Sequence, residues 1–134
     1  MNSVKNNYAF VLKSIKKDKS LLPITSSLKN KTYIISGATR GIGFNIAQKL
    51  ASHGANVTIC GKTEIPHPKL DNTIYSAAEK ISEVTKNPNC IPVVCDIRNS
   101  EDIDNAIFQT KSAFGTIDGV VLNASALCLN NTIK

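Results

Sequence analysis

Ser36-Gly37-Ala38-Thr39-Arg40-Gly41-Ile42-Gly43 has the composition and spacing of a phosphate cradle. An apolar strand candidate, residues 31–36, runs into it, and an amphipathic helix candidate from Gly41 to about Ser52 leaves it. A helix that starts in such a turn presents free N–H groups and the positive end of its dipole to an anion. Gly37 and Gly41 suit a tight turn that a diphosphate must approach closely, and Gly43 lets the helix lie against a sheet. The spacing is Gly-x-x-x-Gly-x-Gly, so the first loop is wider than in the Gly-x-Gly-x-x-Gly dinucleotide fingerprint.

A cradle of this kind needs a sheet to hold it, and the rest of the chain supplies one. The first helix, with Ile42, Ile46, Ala47 and Leu50 expected on its apolar face, should end at Gly54. Strands are predicted over 56–60, 90–95 and 116–122, and helices over 73–86 and 101–114, the latter capped by Asn99 or Ser100. Ile74, Ala77, Ala78 and Ile81 mark the buried face of the second helix, and Ile103, Ala106, Ile107 and Phe108 are the apolar residues of the third. Strands alternating with helices imply a parallel sheet with right-handed crossovers. The expected fold is α/β, a Rossmann-type doubly wound sheet of strand order 3-2-1-4 that stops after its fourth strand. In such sheets ligands bind beyond the carboxyl ends of the strands, where the order reverses. The glycine turn, Lys62, Asp96 and the run Asn123-Ala124-Ser125 all fall at that end.

Composition narrows the classes. The chain has 134 residues, 42% of them hydrophobic but only 5% aromatic, which suits Val-, Ile- and Leu-rich parallel strands. No apolar run approaches the ~20 residues that span a bilayer. The formal charge of +6 lies wholly in residues 1–31, where seven lysines face the single acid Asp18; from Thr32 onward nine basic residues balance nine acids. A neutral core argues against a nucleic-acid surface on the folded domain. The expected division is therefore a basic arm, 1–30, and a nucleotide-binding part, 31–134. Tyr8, Val11, Leu12 and Ile15 could form one face of a short helix in the arm. A solvated or docked extension, an organelle presequence and a contact with membrane or an acidic partner all stay open for it. Cys60, Cys90, Cys95 and Cys128 form no Cys-x-x-Cys pair and read as small core residues of a reducing compartment rather than disulfides or zinc ligands. His53 and His67 have no ligand-like neighbours in sequence, and no metal site is expected. The expected location is intracellular: the cytoplasm, with mitochondrion or peroxisome as alternatives.

These motifs also carry a resemblance. The run from Ser36 to Gly43 resembles the Thr-Gly-x-x-x-Gly-Ile-Gly turn of the short-chain dehydrogenases/reductases, with Ser in place of the leading Thr. Gly61-Lys-Thr-Glu-Ile-Pro-His-Pro-Lys-Leu-Asp-Asn-Thr-Ile-Tyr-Ser-Ala-Ala-Glu79 is similar to a signature of the hydroxysteroid dehydrogenase-like protein 2 subgroup, and Cys95-Asp-Ile-Arg98 and Asn123-Ala-Ser-Ala126 fit it too. The resemblance implies that Gly37, Ala38, Thr39, Arg40, Gly41, Ile42 and Gly43 line a cofactor diphosphate. It further implies that Asp96 accepts from the adenine amino group beside the Ile97 backbone, and that Asn123, Ala124 and Ser125 pass under the ribose and nicotinamide. Leu122 departs from the family pattern, standing where the first of two Asn residues is found.

Cofactor choice has a physical argument of its own. An NAD site places a carboxylate just after the second strand, to bind the ribose hydroxyls. Here that place reads Cys60-Gly61-Lys62-Thr63, and Arg40 can flank the same pocket. Two cations favour a 2′-phosphate through charge-assisted hydrogen bonds, so NADP(H) is the expected cofactor. Glu64 argues the other way, since it could fold back towards the ribose.

The family's Ser and Tyr-x-x-x-Lys are missing from the sequence: none of Tyr8, Tyr33 and Tyr75 has a Lys four residues on. No catalytic residue is assigned. The expectation is a fragment or truncated product of an NADP-dependent oxidoreductase that transfers hydride between the nicotinamide and a small carbonyl or alcohol, a homo-oligomer when full length. A non-catalytic NADP(H)-binding module or pseudoenzyme, and an interaction protein acting through its basic arm, are the alternatives.

Overall fold

The computed structural model describes residues 27–70 and 72–125. The arm helix expected around 4–17, Cys128 and Ala126 lie outside them. In chain order the elements are β1 (Thr32–Ser36), α1 (Gly41–Ser52), β2 (Asn56–Gly61), α2 (Ile74–Thr85), β3 (Cys90–Val94), α3 (Ser100–Phe114) and β4 (Gly119–Val121). All four strands are parallel and stand in the order β3-β2-β1-β4, as the alternation predicts.

Register explains why the polar candidates converge. Ser36 pairs with Cys60, and Gly61 with Val94, so the glycine turn and the loops after β2 and β3 leave the sheet at one level. The Ala38 N–H donates to the Cys60 carbonyl over 3.1 Å and the Cys95 N–H to that of Gly61 over 3.0 Å, tying the loops together just past the strand ends.

Two apolar clusters flank the sheet. Ile35, Val57 and Ile59 pack under α1 and α2 with Ala47, Ala51, Ile74, Ala77 and Ile81, all of them buried. On the opposite face Ile34, Cys60, Val93 and Cys95 meet Ala106 of α3. Leu28, within the stretch read as the arm, packs against the first cluster, and its N–H donates to the His53 carbonyl over 2.8 Å.

Several expectations change. The buried stripe of α1 is Gly43, Ala47 and Ala51, with Ile46 and Leu50 half-buried beside it, whereas Ile42 is 74% exposed. Small residues bring this helix close to the sheet, and the stripe they define leaves Ile42 a turn-side residue facing water. Ile103, Ile107 and Phe108 of α3 are likewise partly or largely exposed, and the buried residues there are Ala106 and Thr110. Strand β4 is shorter than expected. The Asp118 carboxylate accepts from the Thr32 N–H, and the Asp118 N–H donates to the Thr32 carbonyl, both over 2.8 Å, so a side chain takes a place the ladder would have used. After Val121 the chain turns, with the Asn123 N–H donating to the Val121 carbonyl over 3.1 Å. Among the described residues no helix is long and apolar enough to cross a membrane.

Candidate functional site

The turn between β1 and α1 depends on two glycines for its path: φ is +66° at Gly37 and +62° at Gly41, a region other residues enter at a cost. Gly37 is also needed for space, because a Cβ there would lie 2.9 Å from the Ala124 Cα. Gly43 is needed for space alone. Its missing Cβ would press on the Gly37 carbonyl oxygen and on Asn123 Nδ2, both at 2.5 Å, so this glycine closes the turn on itself as well as seating the helix.

Asn123 holds that turn in place. Its Nδ2 donates to the carbonyls of Ser36 and Gly37 over 3.2 and 3.1 Å. The N–H groups of Asn123 and Ala124 both donate to Ser36 Oγ over 3.1 Å, and Ser36 Oγ donates to the Val121 carbonyl over 3.3 Å. Ser36 is therefore the joint between the glycine turn and the segment after β4. In the sequence Ser36 stands out only as a substitute for Thr; the signal for its role is a hydroxyl at the strand end just before the first glycine.

The first turn of α1 is left open to a ligand. Arg40 occupies its N-cap with extended backbone and makes no side-chain cap bond, and the first turn carries no acid. By contrast, Thr73 and Ser76 form a capping box at α2, and Asn99 caps α3 with Glu101 and Asp102 in its first turn. The first N–H groups of α1 thus lack the partners that the other two helices have.

A cleft of about 310 Å³ opens at this end of the sheet. Gly37, Thr39 and Arg40 line it from the turn, Gly61, Lys62 and Thr63 from the end of β2, Cys95, Asp96 and Ile97 from the end of β3, and Asn123, Ala124 and Ser125 from beyond β4. Nine of the thirteen candidate residues meet there. Ala38 is fully buried behind the wall, and Gly41, Ile42 and Gly43 belong to the start of α1 without lining the cleft. Gly61, Thr63 and Cys95 line it too, beyond the thirteen candidates, since their residue types alone do not mark a site.

The electrostatics of the cleft come from three groups. Arg40 is half-buried; its Nη2 donates to Thr63 Oγ1 over 3.2 Å and to the Asn72 carbonyl over 3.1 Å. Its buried Nε has no partner, and among the described residues no carboxylate pairs with it. Lys62 is exposed at the rim. Asp96 is held by Arg98, whose Nε and Nη2 donate to its carboxylate over 3.0 and 2.6 Å, with the Arg98 N–H adding a bond of 3.0 Å. That fork, with a smaller contribution from Lys62, keeps the Asp96 carboxyl well below the usual range. Glu64 does not fold back: it accepts from the Tyr75 hydroxyl over 3.2 Å, away from the cleft. His67 accepts from the Lys69 N–H through Nδ1 over 3.1 Å and sits on the exposed loop.

Comparison with known proteins gives one result at every level. Residues 31–134 match the family model described as short chain dehydrogenase. The chain is 45% identical over 114 residues to hydroxysteroid dehydrogenase-like protein 2 of Bos taurus and 46% over 113 residues to that of Homo sapiens, covering 85% and 84% of this chain. It spans 27% of the length of each of those relatives. Among solved structures, a short chain dehydrogenase from Mycobacterium thermoresistibile superposes with a TM-score of 0.70 at 46% identity, over 78% of this chain and 36% of that one. The L-sorbose reductase of Gluconobacter frateurii, solved with NADPH and L-sorbose, gives 0.62 at 26% identity, over 73% of this chain and 34% of its own.

Proposed function

This chain belongs to the short-chain dehydrogenase family, and from that premise we propose that its cleft binds NADP(H) for an oxidoreductase acting on a small carbonyl or alcohol. One observation carries the choice of cofactor: a half-buried guanidinium that no carboxylate pairs with among the described residues, at the end of the cleft where the second strand offers no carboxylate. A phosphate in the cleft would pair with the charge of this guanidinium; a bare ribose hydroxyl would leave that charge uncompensated. Lys62 adds a second cation at the rim, and the L-sorbose reductase, a structural neighbour, was solved with NADPH.

The remaining roles follow from position. The open first turn of α1 and the N–H groups of the glycine turn suit a diphosphate. Asp96, kept ionised by Arg98, is an acceptor suited to the adenine amino group, with the Ile97 backbone beside it. Asn123, Ala124 and Ser125 form the wall towards the ribose and nicotinamide. NADPH, when bound, supplies the hydride; this chain's residues bind and orient it, and none is assigned to proton transfer.

Titration of the full chain with NADPH and with NADH, followed by nucleotide fluorescence, tests the reading. NADPH is expected to bind at least about tenfold more tightly, and Arg40→Ala to erase about ten- to hundredfold of that preference. Equal affinities in the wild type, or an Arg40→Ala variant that keeps the preference, would overturn it.

A further inference from the structure

Gly61 closes β2 where the strand meets the glycine turn. Side chains alternate along this strand: Val57 and Ile59 pack in the cluster under α1 and α2, and Cys60 in the cluster under α3. Position 61 therefore faces the α1 and α2 side. A Cβ built on Gly61 collides with Thr39 Oγ1 and comes within 3.3 Å of Ile74 Cδ1. Both neighbours are enclosed. Thr39 is 4% exposed inside the turn, and Ile74, fully buried, is held at the start of α2 by its N–H donating to the Thr63 carbonyl over 2.7 Å.

This is also the place where a carboxylate would have to stand. In dinucleotide-binding sheets the acid that binds the ribose hydroxyls lies at the end of the second strand, roughly 20 residues after the turn begins. Taking the reading above as its basis, we infer that the contact between Thr39 and Gly61 is a steric selector of the cofactor. The Thr39 side chain fills the volume that an Asp or Glu at position 61 would need. The adenosine ribose is thereby left to Arg40, Lys62 and Thr63, which line the same end of the cleft. Preference for the 2′-phosphate then has two sources: cations that attract it, and a closed position that cannot offer NAD(H) its acid. An Asp placed at 61 by itself should not change the preference, because it must first displace Thr39.

The experiment is a cycle on the full chain: Gly61→Ala, Gly61→Asp, and each combined with Thr39→Ala. Melting temperature and affinity for NADPH and NADH are measured for every variant. Gly61→Ala should lower the melting temperature by about 5 °C and weaken NADPH about tenfold, as overpacking does, and Thr39→Ala should recover most of both. Gly61→Asp should bind neither nucleotide well, while Thr39→Ala/Gly61→Asp should favour NADH over NADPH. A Gly61→Ala variant that melts and binds like the wild type overturns the contact. A Gly61→Asp variant that folds and takes NADH, in a chain whose wild type prefers NADPH, overturns the selector and leaves the functional reading standing. A wild type that binds neither nucleotide overturns the functional reading and the selector with it.

Discussion

Among the described residues, the two faces of the sheet are packed to different degrees. Under α1 and α2, Ile35, Val57, Ile59, Ile74, Ala77 and Ile81 are fully buried in one cluster. Under α3, the one helix on that side among the described residues, a hollow of about 400 Å³ remains between Ile103 and Ile107 of the helix and Ile34 and Val120 of the sheet. Val120 is 55% exposed and Leu122 88%. A parallel sheet is apolar on both faces and needs helices across its whole width. The closed face therefore carries most of the stability of the described residues, while the cleft runs along the strand ends that both faces share.

Truncation breaks this comparison most directly. Ile59→Ala, on the closed face, should cost about 2–5 kcal/mol in urea unfolding, and Ile107→Ala, beside the hollow, less than about 1 kcal/mol. Equal losses would mean that the hollow is filled in solution.

The next test concerns a buried polar seam on the more open face. Thr110 Oγ1 lies 2.9 Å from Thr58 Oγ1 and 2.7 Å from the Ala106 carbonyl, and both threonines are fully buried. If Thr58 donates to Thr110 and Thr110 to Ala106, both hydroxyls are satisfied. Thr110→Val strands the Thr58 hydroxyl and should cost about 1–3 kcal/mol; Thr58→Val/Thr110→Val should recover much of that.

Each face also holds a buried thiol. Burial pushes Cys90 on the closed face and Cys60 on the other up to about 12. The sign follows from linkage: above the free-thiol value of about 8.5 the unfolded chain loses protons that the folded chain keeps. The stabilising difference is whole below that pH and is lost as pH rises towards the folded value, by at most about 1.4 kcal/mol per unit for each thiol. Thermal melts between pH 8 and 10 should show the fall, and Cys90→Ala should flatten it.

The smallest effect belongs to the rim. Asp96 has its carboxyl lowered by Arg98, so whatever stability it lends is present above the ordinary carboxylate value of about 3.9 and disappears only as pH falls through the lower folded value. Arg98→Ala should return the Asp96 midpoint to the ordinary range in an NMR titration, with little change in the melting temperature at pH 7.

Much of this was legible along the chain. Strand order, the three helices and the convergence of four segments at one end of the sheet follow from alternation, caps and the glycine turn. Periodicity misplaced Ile42 and overestimated Ile107 and Phe108, because it counts apolar residues and does not see which stripe is small enough to seat a helix. Strand β4 is shorter than its apolar run suggests because Asp118, an ordinary polar residue in sequence, spends its carboxylate on the Thr32 N–H. Glu64 had two directions open to it, and the nearby Tyr75 hydroxyl decided between them.

What the sequence determined by itself is local: a turn that only glycines can trace, an uncapped helix start, and an order of elements that admits one simple parallel sheet. The tertiary structure alone decided which polar atoms are answered. Arg40 reaches Thr63 and Asn72 but leaves Nε without a partner, Ser36 becomes the joint for Asn123, and Thr39 closes the place at Gly61. Each of these joins residues more than twenty positions apart. Strand register and side-chain direction create such contacts, and no local pattern carries either.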